Sequence, residues 1–171
     1  MTLRINDVAP NFTAETTQGE INFHDWIGDG WAVLFSHPKH KTPVCSTELG
    51  EVEKLSDEFK KRNVKTIGLS VDTVDETSSW LEDINDIAGA KPSFPIIADT
   101  NMKVSKIYNM LPTNEEGSSD GRTALDNETV RTVFIVGPDK KIKLYLTYPM
   151  TTGRNFNEIL RVIDSMLLTS S

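Results

Sequence analysis

Cysteine is almost absent from this sequence: Cys45 is the one cysteine among 171 residues. A single cysteine cannot form an internal disulfide, so nothing in the sequence points to an oxidising compartment. Positive charge is also in short supply, because 18 basic residues face 25 acidic ones and the net charge is −7. That balance argues against a nucleic-acid-binding surface, which requires a basic footprint.

Long apolar runs are missing as well. No stretch approaches the roughly 18 apolar residues that a membrane-spanning helix requires. Residues 1–10 lack the basic segment and apolar run of a signal peptide. Internal repeats, low-complexity segments and linkers are not found either, so we expect residues 1–171 to form a single domain. Together these absences predict a soluble cytoplasmic protein.

The apolar residues that are present indicate alternating strands and helices. Residues 31–36 form a short apolar run typical of a buried strand, and apolar residues three or four positions apart predict a helix from Cys45 to about Asn63. A second buried strand at 64–71 completes a parallel strand–helix–strand unit. The remaining predicted elements are a hairpin at 12–21, helices at 76–88, 102–109 and 155–168, strands at 94–97, 130–136 and 141–148, and a polar loop at 112–127. This order matches an α/β fold of the thioredoxin-like sandwich type, with a central mixed sheet and an N-terminal β-hairpin.

Cys45 follows the first strand of that unit, and we therefore expect it in the first turn of the helix. Unpaired backbone N–H groups and the helix dipole favour an anion there, which lowers a thiol pKa below its ordinary value of about 8.5. Thr42 is a natural N-cap, and Pro38 and Pro43 stiffen the preceding loop. The alternative is that Cys45 is a small buried core residue, as free cysteines often are.

The segment 35–50, FSHPKHKTPVCSTELG, resembles the active-site segment of the peroxiredoxins, specifically their 1-Cys subfamily. The resemblance extends from about Ile5 to Leu168, through the segments LSVD (69–72), FPII (94–97), FIVGPDKK (134–141) and YPMTTGRNF (148–156). It implies a role for several residues by position. Cys45 matches the peroxidatic cysteine, and Thr42 matches a threonine that hydrogen-bonds the peroxide. Pro38 matches a proline over the site, and Arg131 matches an arginine that lowers the thiolate pKa and polarises the peroxide.

Two further residues match positions near the site in this family, and each also has a structural interpretation. Arg154 matches a second arginine, although a surface residue or a helix-start contact would explain it too. His37 matches a histidine close to the sulfur, and a buried structural histidine is the alternative. A metal site made of His37, His40 and Cys45 fits no common zinc spacing.

The resemblance implies a peroxidase that reduces hydrogen peroxide and organic hydroperoxides without a cofactor. With no second cysteine to resolve the sulfenic acid, an outside thiol such as glutathione would restore Cys45. The family also implies a homodimer, with neither nucleic acid nor a membrane as a partner. Two other hypotheses stay open: a peroxide sensor or chaperone-like protein oxidised stoichiometrically at Cys45, and an inert thioredoxin-fold domain with an ordinary thiol pKa.

The sequence departs from the family at the active-site loop and at a second site. His40 and Lys41 stand where aspartate and phenylalanine are usual, which predicts a cation near the sulfur and a looser loop. Some 1-Cys members hydrolyse phospholipids through a serine, but Gly30 occupies that position here. His24 and Asp139 match the partners of that serine, and without its hydroxyl we expect no phospholipid hydrolysis.

A third departure concerns the carboxyl terminus. The sequence ends at Ser171, whereas 1-Cys members usually continue into a smaller C-terminal domain that helps to cover the site. Without that cover, we expect Cys45 to be more exposed and more easily over-oxidised to sulfinic or sulfonic acid.

Overall fold

The computed structural model describes residues 3–37, 43–89, 91–110, 131–148 and 154–169, with all side chains in these ranges except those of 43–46, 87–88 and 131. The elements in chain order are β1 (Thr13–Thr16), β2 (Gly19–Asn22), α1 (Phe23–Ile27), β3 (Trp31–Ser36), α2 (Pro43–Lys54), α3 (Ser56–Lys61), β4 (Val64–Ser70), α4 (Val74–Ala88), β5 (Ile96–Ala98), α5 (Lys103–Ile107), β6 (Arg131–Val136), β7 (Ile142–Tyr148) and α6 (Phe156–Thr169).

The strands form one seven-stranded mixed sheet in the order β2-β1-β5-β4-β3-β6-β7. β3, β4 and β5 are parallel neighbours, and the crossovers between them run through α2–α3 and through α4. The hairpin β1–β2 joins the β5 edge of this parallel core antiparallel, and the hairpin β6–β7 joins the β3 edge in the same way. The predicted mixed sheet with an N-terminal hairpin is therefore confirmed.

β3 lies inside the sheet and is buried on both faces. Trp31, Val33 and Phe35 point to one face, where they pack against the apolar sides of α2, α3, α4 and α6. Ala32 and Leu34 point to the other face, which α1, α5 and the N-terminal segment cover. Burial on both sides explains why this strand is a continuous apolar run rather than an alternating one.

The structure differs from the predicted elements at several boundaries. The single helix expected from Cys45 onward is divided at Leu55 into α2 and α3, although Leu55 N–H still bonds the Glu51 carbonyl at 3.1 Å. α4 starts earlier than predicted because Thr73 caps it: its hydroxyl accepts the Glu76 N–H at 3.2 Å and donates to the Glu76 carboxylate at 3.1 Å. Periodicity alone does not reveal such a cap.

One short helix was not predicted. α1 has only five residues, which is too few for an apolar repeat to be read from sequence. It begins because the Asn22 side chain accepts the backbone N–H of Asp25 at 3.3 Å. The predicted loop at 112–127 lies outside the described residues. Among the helices of the described part of the chain, none has the length and apolar character that crossing a membrane requires.

The turn into β3 requires glycine at position 30. Gly30 is buried against Asn63, and a Cβ built on Gly30 would lie 2.5 Å from the Asn63 backbone carbonyl oxygen. That oxygen also accepts the Trp31 N–H at 2.9 Å, at the start of the β3–β4 ladder. Neither strand end is therefore free to move away from an added methyl group.

We expect Gly30→Ala to lower the free energy of unfolding by about 1–3 kcal/mol, as overpacking typically does. Urea denaturation followed by circular dichroism measures the change. The control is Gly68→Ala on β4, where the nearest atoms to an added Cβ lie at an ordinary contact distance of 3.4 Å. Equal losses in the two variants would contradict the role of Asn63.

Candidate active site

The chain topology brings three of the candidate residues to one end of the sheet. β3 ends at Ser36, and His37 follows it directly. α2 starts at Pro43, so Cys45 lies in its first turn, as the sequence predicts. β6 runs antiparallel to β3, and its first residue, Arg131, therefore also lies beside the carboxyl end of β3.

The start of α2 suits a thiolate for reasons of backbone geometry alone. Proline is favoured at the first position of a helix because its missing N–H would have no intrahelical acceptor there. The N–H groups that follow are unpaired within the helix and favour negative charge in the first turn. The side chains of Cys45 and Arg131 lie outside the described residues, as do Pro38 and Thr42, and their assigned roles stay predictions.

Arg154 and Glu48 form a buried ion pair that joins α2 to the start of α6. Their side chains are 2% and 5% exposed. The guanidinium donates to the Glu48 carboxylate at 2.9 Å from Nε and at 3.2 Å from Nη2, and the backbone N–H of Arg154 donates at 2.6 Å. Such a charge-assisted fork fixes orientation as well as distance. The alternative that Arg154 is a surface residue is therefore wrong.

The same guanidinium connects the pair to the sheet. Arg154 Nη1 donates to the Thr132 carbonyl at 2.9 Å. The guanidinium carbon also lies 5.6 Å from the centre of the Phe35 ring and 5.4 Å from that of Phe156. The cation is thus enclosed by aromatic faces and fixed to β6 one residue after Arg131. Because Glu48 lies one helical turn after Cys45, these contacts hold the start of α2 next to the start of β6.

His37 is buried at the end of β3. It is 1% exposed, and its backbone N–H donates to the Leu69 carbonyl at 3.1 Å, which extends the β3–β4 pairing by one residue. Its ring centre lies 5.1 Å from that of Trp80 on α4, at an angle of 45°. Packing of this kind fits a structural histidine, and its position next to the loop before α2 equally fits a residue near the sulfur.

Sequence reasoning missed Glu48 and Trp80. The signal for Glu48 was present, because it directly precedes Leu49 on a helix whose apolar residues mark the buried face. A carboxylate on such a face requires a cationic partner. Nothing in the sequence specified that the partner is Arg154. Trp80 on α4 carries no local signal for contact with His37.

The residues at the second family site have other partners in this structure. His24 Nε2 lies 2.7 Å from the Ala9 carbonyl oxygen. Asp139 accepts from Lys143 Nζ at 2.8 Å and from the Lys141 N–H at 3.1 Å, and the bond from Lys143 holds the pKa of this carboxyl below its usual value. The space where Gly30 would carry a side chain is filled by Asn63. Absence of phospholipid hydrolysis stays a prediction.

Within the described ranges, no group of three or more His, Cys, Asp or Glu residues is placed to hold a metal ion. In place of a metal-ligand cluster, the described part of this site contains the paired charges of Glu48 and Arg154. It holds a cation and an anion together at the end of the sheet, next to the helix start that carries Cys45. The pair is neutral overall, so what it supplies at this end of the sheet is fixed geometry rather than positive charge.

Comparison with known proteins gives a consistent picture. The profile of the AhpC/TSA family matches residues 5–145. Peroxiredoxin-6 of Gallus gallus is 53% identical over 172 residues, which cover 98% of this chain and 75% of that protein. The mitochondrial peroxiredoxin PRX1 of Saccharomyces cerevisiae is 52% identical over 169 residues, covering 98% of this chain and 63% of its own length.

Solved structures are similar over nearly the whole chain. A cysteine-to-serine mutant of the Peroxiredoxin 6 of Arenicola marina superposes with a TM-score of 0.88 at 48% identity, covering 99% of this chain and 76% of that one. The yeast mitochondrial 1-Cys peroxiredoxin, described with a thiol-resolving mechanism via glutathione/thioredoxin systems, gives a TM-score of 0.87 at 52% identity, covering 99% and 78%. The predicted thioredoxin-like fold is therefore confirmed.

We expect Glu48→Gln to lower the free energy of unfolding by about 3–5 kcal/mol, because it leaves the buried Arg154 cation without its anionic partner. Chemical denaturation measures the loss. The matched control is Glu158→Gln, which removes an exposed partner of Arg161 on α6 and should cost far less, because solvent screens a surface pair. Similar losses in both variants would show that the buried pair is not a major constraint.

Proposed function

This chain belongs to the AhpC/TSA family and is a 1-Cys peroxiredoxin, and on that premise we propose that it reduces hydrogen peroxide and organic hydroperoxides through Cys45. The observation that carries the proposal is the position of its one cysteine. Cys45 lies in the first turn of α2, and Glu48 in the next turn fixes that helix to Arg154 and, through it, to β6. The N–H groups at the start of α2, together with Arg131 and Arg154, therefore lie at the same end of the fold as this nucleophile.

The reaction is a displacement at oxygen. The Cys45 thiolate attacks one peroxide oxygen, the O–O bond breaks, and sulfur becomes sulfenic acid while the other oxygen leaves as hydroxide or alkoxide and takes up a proton. Sulfur loses two electrons and the peroxide gains them. Arginine suits both ends of this step, because it stays protonated and offers several donors to a thiolate and to a leaving oxygen. We assign that role to Arg131, with Arg154 holding its strand.

Restoring the thiol requires an outside reductant. The sequence has no second cysteine, so the sulfenic acid condenses with an external thiol, and a second thiol releases Cys45 from the mixed disulfide. The yeast relative is described with glutathione/thioredoxin systems, and we propose glutathione or a similar thiol here. The proposed location is the cytosol, where such thiols are maintained reduced; one similar protein is mitochondrial by name.

We expect Cys45 to react with hydrogen peroxide much faster than free cysteine, and Cys45→Ser to show no reaction. Stopped-flow mixing of the reduced protein with peroxide measures the second-order rate constant. A rate no faster than that of free cysteine would overturn the peroxidase proposal.

Turnover separates the enzyme from a peroxide sensor or chaperone-like protein. Peroxide consumption should continue when glutathione, glutathione reductase and NADPH are present. Without added thiol it should stop after one equivalent per Cys45 for the sulfenic acid, or after at most three if over-oxidation runs to the sulfonic acid. If Cys45 is oxidised only stoichiometrically whichever thiol is added, the protein is a peroxide sensor or chaperone-like protein and the enzyme proposal is wrong.

A homodimer is the assembly we propose, paired along β7. This strand is the last in the sheet order. Residues 6–9 bond its amino end, where Asn6 N–H donates to the Ile142 carbonyl at 2.8 Å and Ile142 N–H donates to the Asp7 carbonyl at 2.9 Å. From Leu144 to Tyr148 no other strand of the described residues pairs with the outer edge. Tyr145 in that stretch is 44% exposed, and an open strand edge is a ready site for pairing.

We expect Tyr145→Glu to shift the protein from dimer to monomer, because symmetric pairing would bring two added carboxylates close together. Light scattering after size-exclusion chromatography measures the mass. Ile107→Glu is the control, since Ile107 is 37% exposed and belongs to helix α5 rather than to the edge strand. A dimer that survives Tyr145→Glu would place the interface elsewhere.

A further inference from the structure

Ser36 makes a hydrogen bond that lies beyond the regular pairing of β3 with β6. The register between these strands runs from Ala32 opposite Val136 to Phe35 opposite Val133. One residue further, the Thr132 N–H donates to the Ser36 hydroxyl oxygen at 3.1 Å, so a side chain takes the place of a strand carbonyl. Ser36 is fully buried, and loss of its oxygen would cost this N–H its acceptor.

The peptide group that Ser36 holds is the one that joins Arg131 to Thr132. The next peptide is also held, because the Thr132 carbonyl accepts Arg154 Nη1 at 2.9 Å. Thr132 itself is 1% exposed, and its hydroxyl oxygen lies 3.4 Å from that of Thr147 on β7. The backbone directly after Arg131 is therefore fixed by a neutral hydroxyl on one strand and by the buried Arg154–Glu48 pair.

We infer that Ser36 is a positioning residue of the peroxidase site, whose hydroxyl holds the Arg131–Thr132 peptide and so sets the place of Arg131 beside the start of α2. The inference rests on the proposed function. An arginine can stabilise a thiolate and a leaving oxygen only when it is placed along the reaction axis. A misplacement of about 1 Å in such a site costs on the order of a hundredfold in rate.

Ser70 provides a matched control for the test. It is also fully buried and ends the neighbouring strand β4, and its hydroxyl accepts the Asp72 N–H at 3.2 Å. β4 pairs with β3 on the side away from β6. Ser70→Ala therefore removes a similar bond from a similar place without touching the strand of Arg131.

We expect Ser36→Ala to slow the reaction of Cys45 with hydrogen peroxide by about tenfold to a hundredfold and to raise the pKa of the thiol. Ser70→Ala should change neither, and Ser36→Thr, which keeps a hydroxyl, should recover most of the rate. Stopped-flow kinetics give the rate constant, and thiolate absorbance near 240 nm against pH gives the pKa. If Ser36→Ala lowers thermal stability but leaves the thiol pKa unchanged, the role of Ser36 is purely structural and the inference is overturned.

A double-mutant cycle with Arg131→Ala separates the role proposed for Arg131 from the role inferred for Ser36. If Arg131→Ala leaves the peroxide rate unchanged, the role proposed for Arg131 is wrong, and so is the inference that depends on it. If Arg131→Ala slows the reaction and Ser36→Ala adds nothing further in that background, Ser36 acts through Arg131. Full additivity, or a normal rate in Ser36→Ala alone, overturns the inference while the peroxidase proposal stands.

A measurement on the unaltered protein covers the case in which Ser36→Ala does not fold. Amide hydrogen exchange followed by NMR should show Thr132 protected to the same degree as Val133 in the regular ladder. Exchange of the Thr132 amide as fast as that of an exposed loop would show that Ser36 does not hold this peptide.

Discussion

The buried ion pair of Glu48 and Arg154 is the constraint on which the end of the sheet depends. Two opposite charges with side chains 2% and 5% exposed are stable only in close contact, since either one alone would be an unpaired charge in an apolar interior. Because one partner lies on α2 and the other just before α6, the pair fixes the relative position of two segments that are distant in sequence. The third contact of Arg154, with the Thr132 carbonyl, adds β6 to the same unit.

This constraint bears on the thiol chemistry proposed for Cys45, because it fixes the helix that begins just before that residue. β3 places the start of α2 at the carboxyl end of the sheet, and the antiparallel return of β6 places an arginine at the same end. The helix start favours the anionic form of sulfur through its backbone groups. Catalysis also requires donors that hold their positions, and the ion pair, together with the hydroxyl of Ser36, provides fixed backbone for them.

Much of this fold follows from the sequence because most elements carry strong local patterns. The apolar run of β3 and the helical spacing after Cys45 each predicted the right element, and the strands predicted at 130–136 and 141–148 are found as β6 and β7. α1 was not predicted because its start depends on a single cap, Asn22. The break at Leu55 was not predicted because it leaves the apolar spacing intact. The candidate site divides in the same way. Cys45 is marked by its place along the chain, whereas the contacts of Glu48, His37 and Ser36 join elements that no local pattern connects.

The separation of Glu48 and Arg154 along the chain, 106 residues, bears on how the protein is made. The ribosome releases α2 and its thiol long before it adds Arg154, and contacts between such distant residues form late in folding. A nascent chain paused before residue 154 therefore carries Cys45 with Glu48 still lacking its partner. Under the proposed function, the backbone that supports the site is complete only after translation has passed the start of α6.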